Sequence, residues 1–128
     1  MSNDATTRAV RVAVPSERPG GLGAQRSGHF GRCDCFTIVE LAEGQLRQVS
    51  IVENLPHIEG GCMAPVLLLA QHEVDAIVVD GIGGRPLAGF NQVGIAVHTG
   101  IGDTVEHTVR AFALDLLPAV DPGSACQH

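Results

Sequence analysis

The sequence predicts a single α/β domain built on one mixed sheet, and three observations lead there. The chain has 128 residues, the usual size of one domain, and can bury ~two-thirds of the surface its unfolded form exposes without disulfide staples. Hydrophobic residues make up 45% of it and charged residues 17%, a balance that fits a packed core and excludes a disordered chain. Period-two apolar runs fill the first half and helical runs alternate with strand runs in the second, giving the order β-β-β-α-β-α-β-α.

Val10, Val12 and Val14 alternate with Arg11 and Ala13, so residues 9 to 14 read as a first strand that Pro15 stops. Pro19-Gly-Gly-Leu-Gly23 through Gly28 and Gly31 cannot hold regular structure cheaply, which makes residues 15 to 32 an irregular crossing that serves or covers a site. Phe36 to Leu41 and Leu46 to Glu53 are β-rich and are joined by Ala42-Glu43-Gly44-Gln45 as a hairpin. Met63 to His72 forms a first helix with Pro65 in its opening turn. Ala76 to Asp80 is a buried strand, Gly81-Ile-Gly-Gly84 a sharp turn, and a second helix runs from Arg85-Pro86 to Val93, with Gly94 ending it. Ile95 to His98 is the last strand. Asp103 caps a third helix, Glu106 follows three residues on, and Val105, Val109, Phe112 and Leu116 share a face before Pro118. Residues 1–8 form a flexible amino terminus, 9–118 the domain and 119–128 a polar tail, with no internal repeat.

Composition removes several classes of function. There is no Trp or Tyr and there are only four Phe, so platforms for stacking bases are nearly absent. A net charge of -6 repels phosphate backbones and the arginines form no dense run to counter it, so nucleic acid is excluded as a partner. The first eight residues contain no apolar signal core, and no apolar stretch approaches the ~20 residues that span a bilayer. A cytoplasmic protein is expected, with no membrane partner. In that compartment Cys33, Cys35, Cys62 and Cys126 serve as thiols, metal ligands or redox groups rather than as structural disulfides.

Connectivity places these residues. Hairpins reverse the chain and helical crossovers restore its direction, so the end of the first strand, the start of the second and the ends of the third, fourth and fifth share one edge. That upper rim gathers Cys33, Cys35, His57, Cys62, Asp80, the glycine turn with Arg85, and His98. Ligands of open α/β sheets bind at such an edge. Cys33 and Cys35 form Cys-x-Cys. They stand at a loop-to-strand junction, and they ligate one metal only if loop conformation persists through Cys35, which otherwise packs as a small hydrophobe. His57 and Cys62 flank Gly60-Gly61 ahead of a helix whose positive end favours a thiolate, making Cys62 the best soft ligand; the alternative is a glycine turn followed by a buried Cys. No Cys-x-x-Cys pair exists and the His57 to Cys62 spacing is not that of a zinc site, which excludes a conventional zinc finger. Gly81-Ile-Gly-Gly-Arg-Pro86, with Gly83, Gly84 and Arg85, is either an anion-binding nest or a tight turn for packing, and matches neither nucleotide-binding glycine motif. His98 is a ligand or a hydrogen-bonded structural imidazole. Cys126-Gln-His128 is either a bidentate metal arm or a plain terminus, on a tail able to reach ~30 Å when extended.

Val12-Ala-Val-Pro15 entering a long loop, Ser27-Gly-His-Phe-Gly31, the Gly60-Gly61 helix entry, Asp75-Ala-Ile-Val-Val79 before Gly81-Ile-Gly-Gly84, Gly94-Ile-Ala-Val97 and Thr104-Val-Glu-His107 occur in that order over residues 9 to 118. Together they resemble the dinitrogenase iron–molybdenum cofactor biosynthesis family, which includes NifX-like proteins and the carboxy-terminal domain of NifB-like proteins. The resemblance implies a ribonuclease H-like α/β fold with a five-stranded mixed sheet, and a part in nitrogen-fixation-like cofactor biosynthesis: binding, carrying or protecting an iron–sulfur or iron–molybdenum cluster. It adds His29, which matches the family's loop pattern, to the candidate ligands. Other members often carry different residues where Cys35 and Cys62 stand, so the ligand set does not transfer whole. Nuclease activity does not follow, because the first strand carries no acid to bind a catalytic metal.

Two functions of different class follow. In the preferred one the chain is a non-enzymatic carrier: His29, Cys33, Cys35, His57, Cys62 and His98, with Cys126 and His128, supply soft ligation; amides of the glycine turns bond the sulfides, and Arg85 offsets the negative charge. A cluster donor or acceptor protein is then its partner. In the alternative the chain is a regulatory or accessory module that binds a single metal ion or a small anion, or docks on another protein. No Ser-His-Asp, Cys-His or paired-carboxylate pattern argues for an enzyme.

Overall fold

The computed structural model describes residues 9–27, 33–54, 64–82, 84–100, 103–114 and 116–120. Its elements follow the expected order: β1 (Val10–Ser16), β2 (Cys35–Ala42), β3 (Gln45–Glu53), α1 (Ala64–Gln71), β4 (Ala76–Val79), α2 (Gly84–Gln92), β5 (Ala96–Thr99) and α3 (Val105–Ala113). The five strands form one sheet in the order β3-β2-β1-β4-β5. β2 is antiparallel to both β1 and β3, while β4 is parallel to β1 and to β5. The mixed sheet with three helices is the α/β fold expected, strand directions included.

Alternation along the strands gives the sheet two apolar faces. On one, Ala13, Phe36, Ile38 and Ile77 pack with Val66 and Leu69 of α1 and with Leu87 and Phe90 of α2. On the other, Val12, Val14, Val39, Leu41 and Val78 pack with Val105 and Val109 of α3. One face therefore carries two helices and the other carries one. No helix among the described residues is long and apolar enough to cross a membrane. The β2–β3 turn is the two-residue type expected of a tight hairpin: Ala42 pairs with Gln45, and Glu43 (φ 56) and Gly44 (φ 76) both take left-handed backbone.

Three local expectations are corrected. Pro15 does not stop β1, which runs on to Ser16 with Pro15 opposite Phe36. The β1–β4 pairing includes only Val12 and Ala13, and the Pro15 carbonyl accepts from Ser27 N on the side away from β2, so the missing N–H falls outside any ladder. Residues 17 to 27 form no helix or strand, as expected of an irregular crossing, and residues 28–32 lie outside the described residues; the described part is nonetheless tied down. Arg26 bridges Ser16, Gln25 bridges Thr104, and the carbonyls of Leu22 and Ala24 accept from Glu106 N and Val105 N at the start of α3.

Thr104, not Asp103, caps that helix. Its hydroxyl accepts from His107 N, while the Asp103 carbonyl accepts from Arg26 N. Thr104→Ala is expected to lower the unfolding free energy by about 1 kcal/mol, read as a shifted urea midpoint at constant slope. Finally, α3 ends at Ala113 and the chain from Pro118 to Val120 is not yet tail. Pro118 O accepts from Thr99 N, Ala119 bridges His98 and Val120 N donates to Val97 O, so this segment lines the outer edge of β5 and runs antiparallel to it.

Candidate functional site

Parallel β1, β4 and β5 and the reversed β2 bring Ser16, Val79, Thr99, Cys35 and Glu53 to a common edge, the upper rim expected from connectivity. Of the residues expected there, Cys33, Cys35, Gly84, Arg85 and His98 lie among those described. His29, His57, Gly60, Gly61, Cys62, Gly83, Cys126 and His128 lie outside the described residues.

Cys33 and Cys35 do reach the rim, but not as a pair. Phe36 and Ile38 belong to the α1–α2 face, so Cys35, Thr37 and Val39 alternate onto the α3 face, whereas Cys33 is buried in the α1–α2 core. The Cys-x-Cys spacing thus gives no common metal position, which corrects the expectation of joint ligation. Neither thiol is poised to ionise. Burial pushes Cys33 up from the usual value of 9.0 to about 12, and Cys35 is raised by burial and then by Glu53 and Asp34. Its Sγ faces the Ser16 and Glu17 carbonyls at 3.8 and 4.0 Å. Gly20 (φ 80) closes over it so tightly that a Cβ there would come within 3.0 Å of the sulfur. Asn54 Nδ2 donates to the Cys33 carbonyl at 2.9 Å and reaches its Sγ at 3.6 Å. Among the described residues no three His, Cys, Asp or Glu side chains are grouped to hold a metal ion.

The Cys33 shift has a consequence for stability. Between the unfolded value near 9.0 and the folded value of about 12 the native state holds a proton that the unfolded chain releases, so stability is full below pH 9 and falls as pH rises above it. The slope contributed is about 1.4 kcal/mol per pH unit. Denaturant unfolding between pH 8 and 11 checks this, and Cys33→Ala should flatten the decline.

His98 resolves towards its structural alternative. Its Nδ1 lies 3.0 Å from the Leu117 carbonyl, and its ring meets Phe112 edge-on with centroids 5.1 Å apart. It fastens the segment after α3 to β5.

The buried charge of the rim is one the sequence did not single out. Arg26, on the loop that pairs with both Ser16 and α3, extends over the α3 face where β4 and β5 end, and its Nη1 forms an ion pair with Asp80 Oδ1 at 2.8 Å. The Arg26 side chain is 9% exposed and that of Asp80 58%. Gly100 makes room for it: a Cβ there would come within 2.6 Å of Val78 Cγ1 and 2.9 Å of Arg26 Nη1. Gly81 and Gly84 are different. Neither has a positive φ, and a Cβ on either meets nothing within 4 Å among the described residues. Neither backbone conformation nor internal packing asks for glycine at these two positions, which leaves their main chain open to approach from outside. Arg85 follows on α2 and is exposed. Gly84 and Arg85 thus sit beside the rim as expected, but the cation held out of water is Arg26. The signal that could have found it is an arginine in a glycine-rich loop, read together with an Asp just after one strand and a glycine just after the next.

The amides opening α3 are engaged by the loop carbonyls and by Thr104, so that helix start offers no anion site. A cavity of about 290 Å³ lies between α3 and the β2–β3 hairpin, lined by Leu22, Leu41, Leu46, Val109 and Ala113 among others. It reaches the hairpin turn at Gly44, at the end of the sheet away from the rim. Its charged residues, Glu106 and Arg110, pair with each other at 2.9 Å.

Comparison with known proteins agrees with the fold. The family model described as dinitrogenase iron–molybdenum cofactor matches residues 8–114. The protein MJ0580 of Methanocaldococcus jannaschii is 28% identical over 114 residues, covering 88% of this chain and 92% of that one. Among solved structures, PH0822 is 30% identical with a TM-score of 0.74, covering 87% of this chain and 96% of its own. The apo form of the orange protein from Desulfovibrio gigas is 26% identical with a TM-score of 0.74, covering 86% and 92%.

Proposed function

Since the chain belongs to the dinitrogenase iron–molybdenum cofactor family, we propose that it is a non-enzymatic accessory protein that binds an iron–sulfur or iron–molybdenum cluster at the upper rim and carries it to an acceptor protein in the cytoplasm. The observation that carries this reading is the pairing, at the ends of β4 and β5, of a buried guanidinium with an open glycine turn. Sulfide-bearing clusters are anionic. A desolvated Arg26 attracts such a cargo far more strongly than an exposed one, and its planar fork of N–H donors suits several acceptor atoms at once. The main chain at Gly81 and Gly84 admits the cargo's surface to backbone amides, as in other anion-binding turns.

The fit also limits the mode of binding. Buried, protonated Cys33 and Cys35 on opposite faces are poor ligands, so charge and hydrogen bonding do more of the holding than a thiolate cage would. Any soft ligation falls to His29, His57, Cys62, Cys126 and His128, with Cys62 first. Loose holding suits a carrier, whose cargo must leave.

Anaerobic reconstitution with iron and sulfide, with and without molybdate, tests the proposal. Visible charge-transfer absorption and metal should co-elute with the chain on gel filtration, and Cys62→Ser should weaken both. A colourless, metal-free protein with every cluster type offered contradicts it.

A further inference from the structure

We infer that Asp80 is a resident stand-in for the cargo: its carboxylate fills the anion position of Arg26 and withdraws when a multiply charged anion arrives, so that Asp80 sets how tightly the cargo is held and how readily it leaves. The inference rests on the carrier reading above and concerns the same edge. It starts from an asymmetry within the pair. Arg26 is the held partner: its N–H is bonded to the Asp103 carbonyl, its backbone bridges Ser16, its side chain is 9% exposed, and its Nη1 lies 2.9 Å from where a Cβ on Gly100 would stand. Asp80 is placed to move. It follows the last residue of β4 and precedes the glycine turn, its side chain is 58% exposed, and solvent can take over its charge once it swings outward.

Taking the carboxylate away from a nine-tenths buried guanidinium is costly, so it withdraws as another anion takes its place. That makes an exchange rather than an opening. Asp80 brings a single negative charge, and a dianion gains more from the same buried cation. The ligand chemistry is therefore a dianionic tetrahedral oxo- or thioanion, or the sulfide-bearing face of a cluster that presents the same charge. Return of the carboxylate assists release.

The test is anaerobic equilibrium dialysis of the full chain and its variants against three probes: molybdate, tetrathiomolybdate and a reconstituted iron–sulfur cluster. Asp80→Asn should bind about tenfold tighter than the unaltered chain, as removal of a competing ion pair requires. Adding Arg26→Gln should erase that gain. Without anion, Asp80→Asn should melt at a lower temperature, and the probe should restore it by more than it raises the unaltered chain. Asp80→Ser repeats the measurement should Asp80→Asn not fold. Tighter binding of either small dianion assigns the cargo to free molybdenum anions, and tighter binding of the cluster alone assigns it to the cluster; both support the role of Asp80. Equal or weaker binding by the neutral variants, with the unaltered chain binding normally, overturns that role and leaves the carrier reading standing. No binding of any probe by any of the proteins overturns both.

Discussion

Arg26→Gln should cost the chain roughly 30- to 700-fold in affinity for its anionic cargo, the factor that about 2–4 kcal/mol represents when one partner of a buried charge contact is removed. The effect is large because Arg26 is 9% exposed and acts without competing water, and it is specific because the loss is borne by binding more than by folding. Asp80, left without its partner, is 58% exposed and is re-solvated where it stands. The loop keeps its bridges to Ser16 and Thr104, which are made by main chain. Arg26→Lys should fall between the two, since it restores the charge but not the planar fork of donors. Equilibrium dialysis against the reconstituted cluster reads the affinity, and a urea titration on the same samples reads the fold.

Phe36→Ala should be the most damaging single change to stability, lowering the unfolding free energy by about 3–5 kcal/mol. Phe36 is fully buried in β2, opposite both Pro15 and Val52, and belongs to the core beneath α1 and α2. Its loss removes the apolar floor on which Cys33 packs, one residue from the strand's start at Cys35. Domains of this kind are held by about 5–15 kcal/mol, so the variant should be close to unfolding at room temperature. Leu46→Ala on exposed β3 is the contrast: its side chain is 45% exposed, and a loss within about 1 kcal/mol is expected. Guanidinium unfolding of both variants measures the difference.

These two residues mark the divide between what was legible in the sequence and what was not. Phe36 stands in a β-rich run that announces a strand, and hairpin and crossover rules then give every strand its direction. The rim followed from those rules with no side-chain information. The opposed orientation of Cys33 and Cys35 did not: residues two apart on extended backbone share a face, and Cys33 lies on the α1–α2 side because the chain bends at Asp34 before β2 begins. Failures came where a non-local partner decides. Pro15 reads as a stop, yet it is tolerated because β4 does not pair that far along β1. Asp103 and Thr104 are equally good caps on paper, and the bond from Arg26 N to the Asp103 carbonyl helps fix the choice. The loop from residue 17 to 27 has no periodicity because its order comes from Ser16 and from the start of α3. Arg26 was hidden for the same reason: nothing near it in sequence shows that it will lie over Gly100 and meet Asp80.

On the proposed function, this edge holds an anionic metallocluster through the buried Arg26. Iron, molybdenum and sulfide are to be measured on the chain purified without oxygen, beside Arg26→Gln purified in the same way. Stoichiometric metal and sulfide are expected on the unaltered chain and neither on Arg26→Gln, with the two unfolding transitions nearly alike. Metal absent from both, or present equally on both, rules the proposal out.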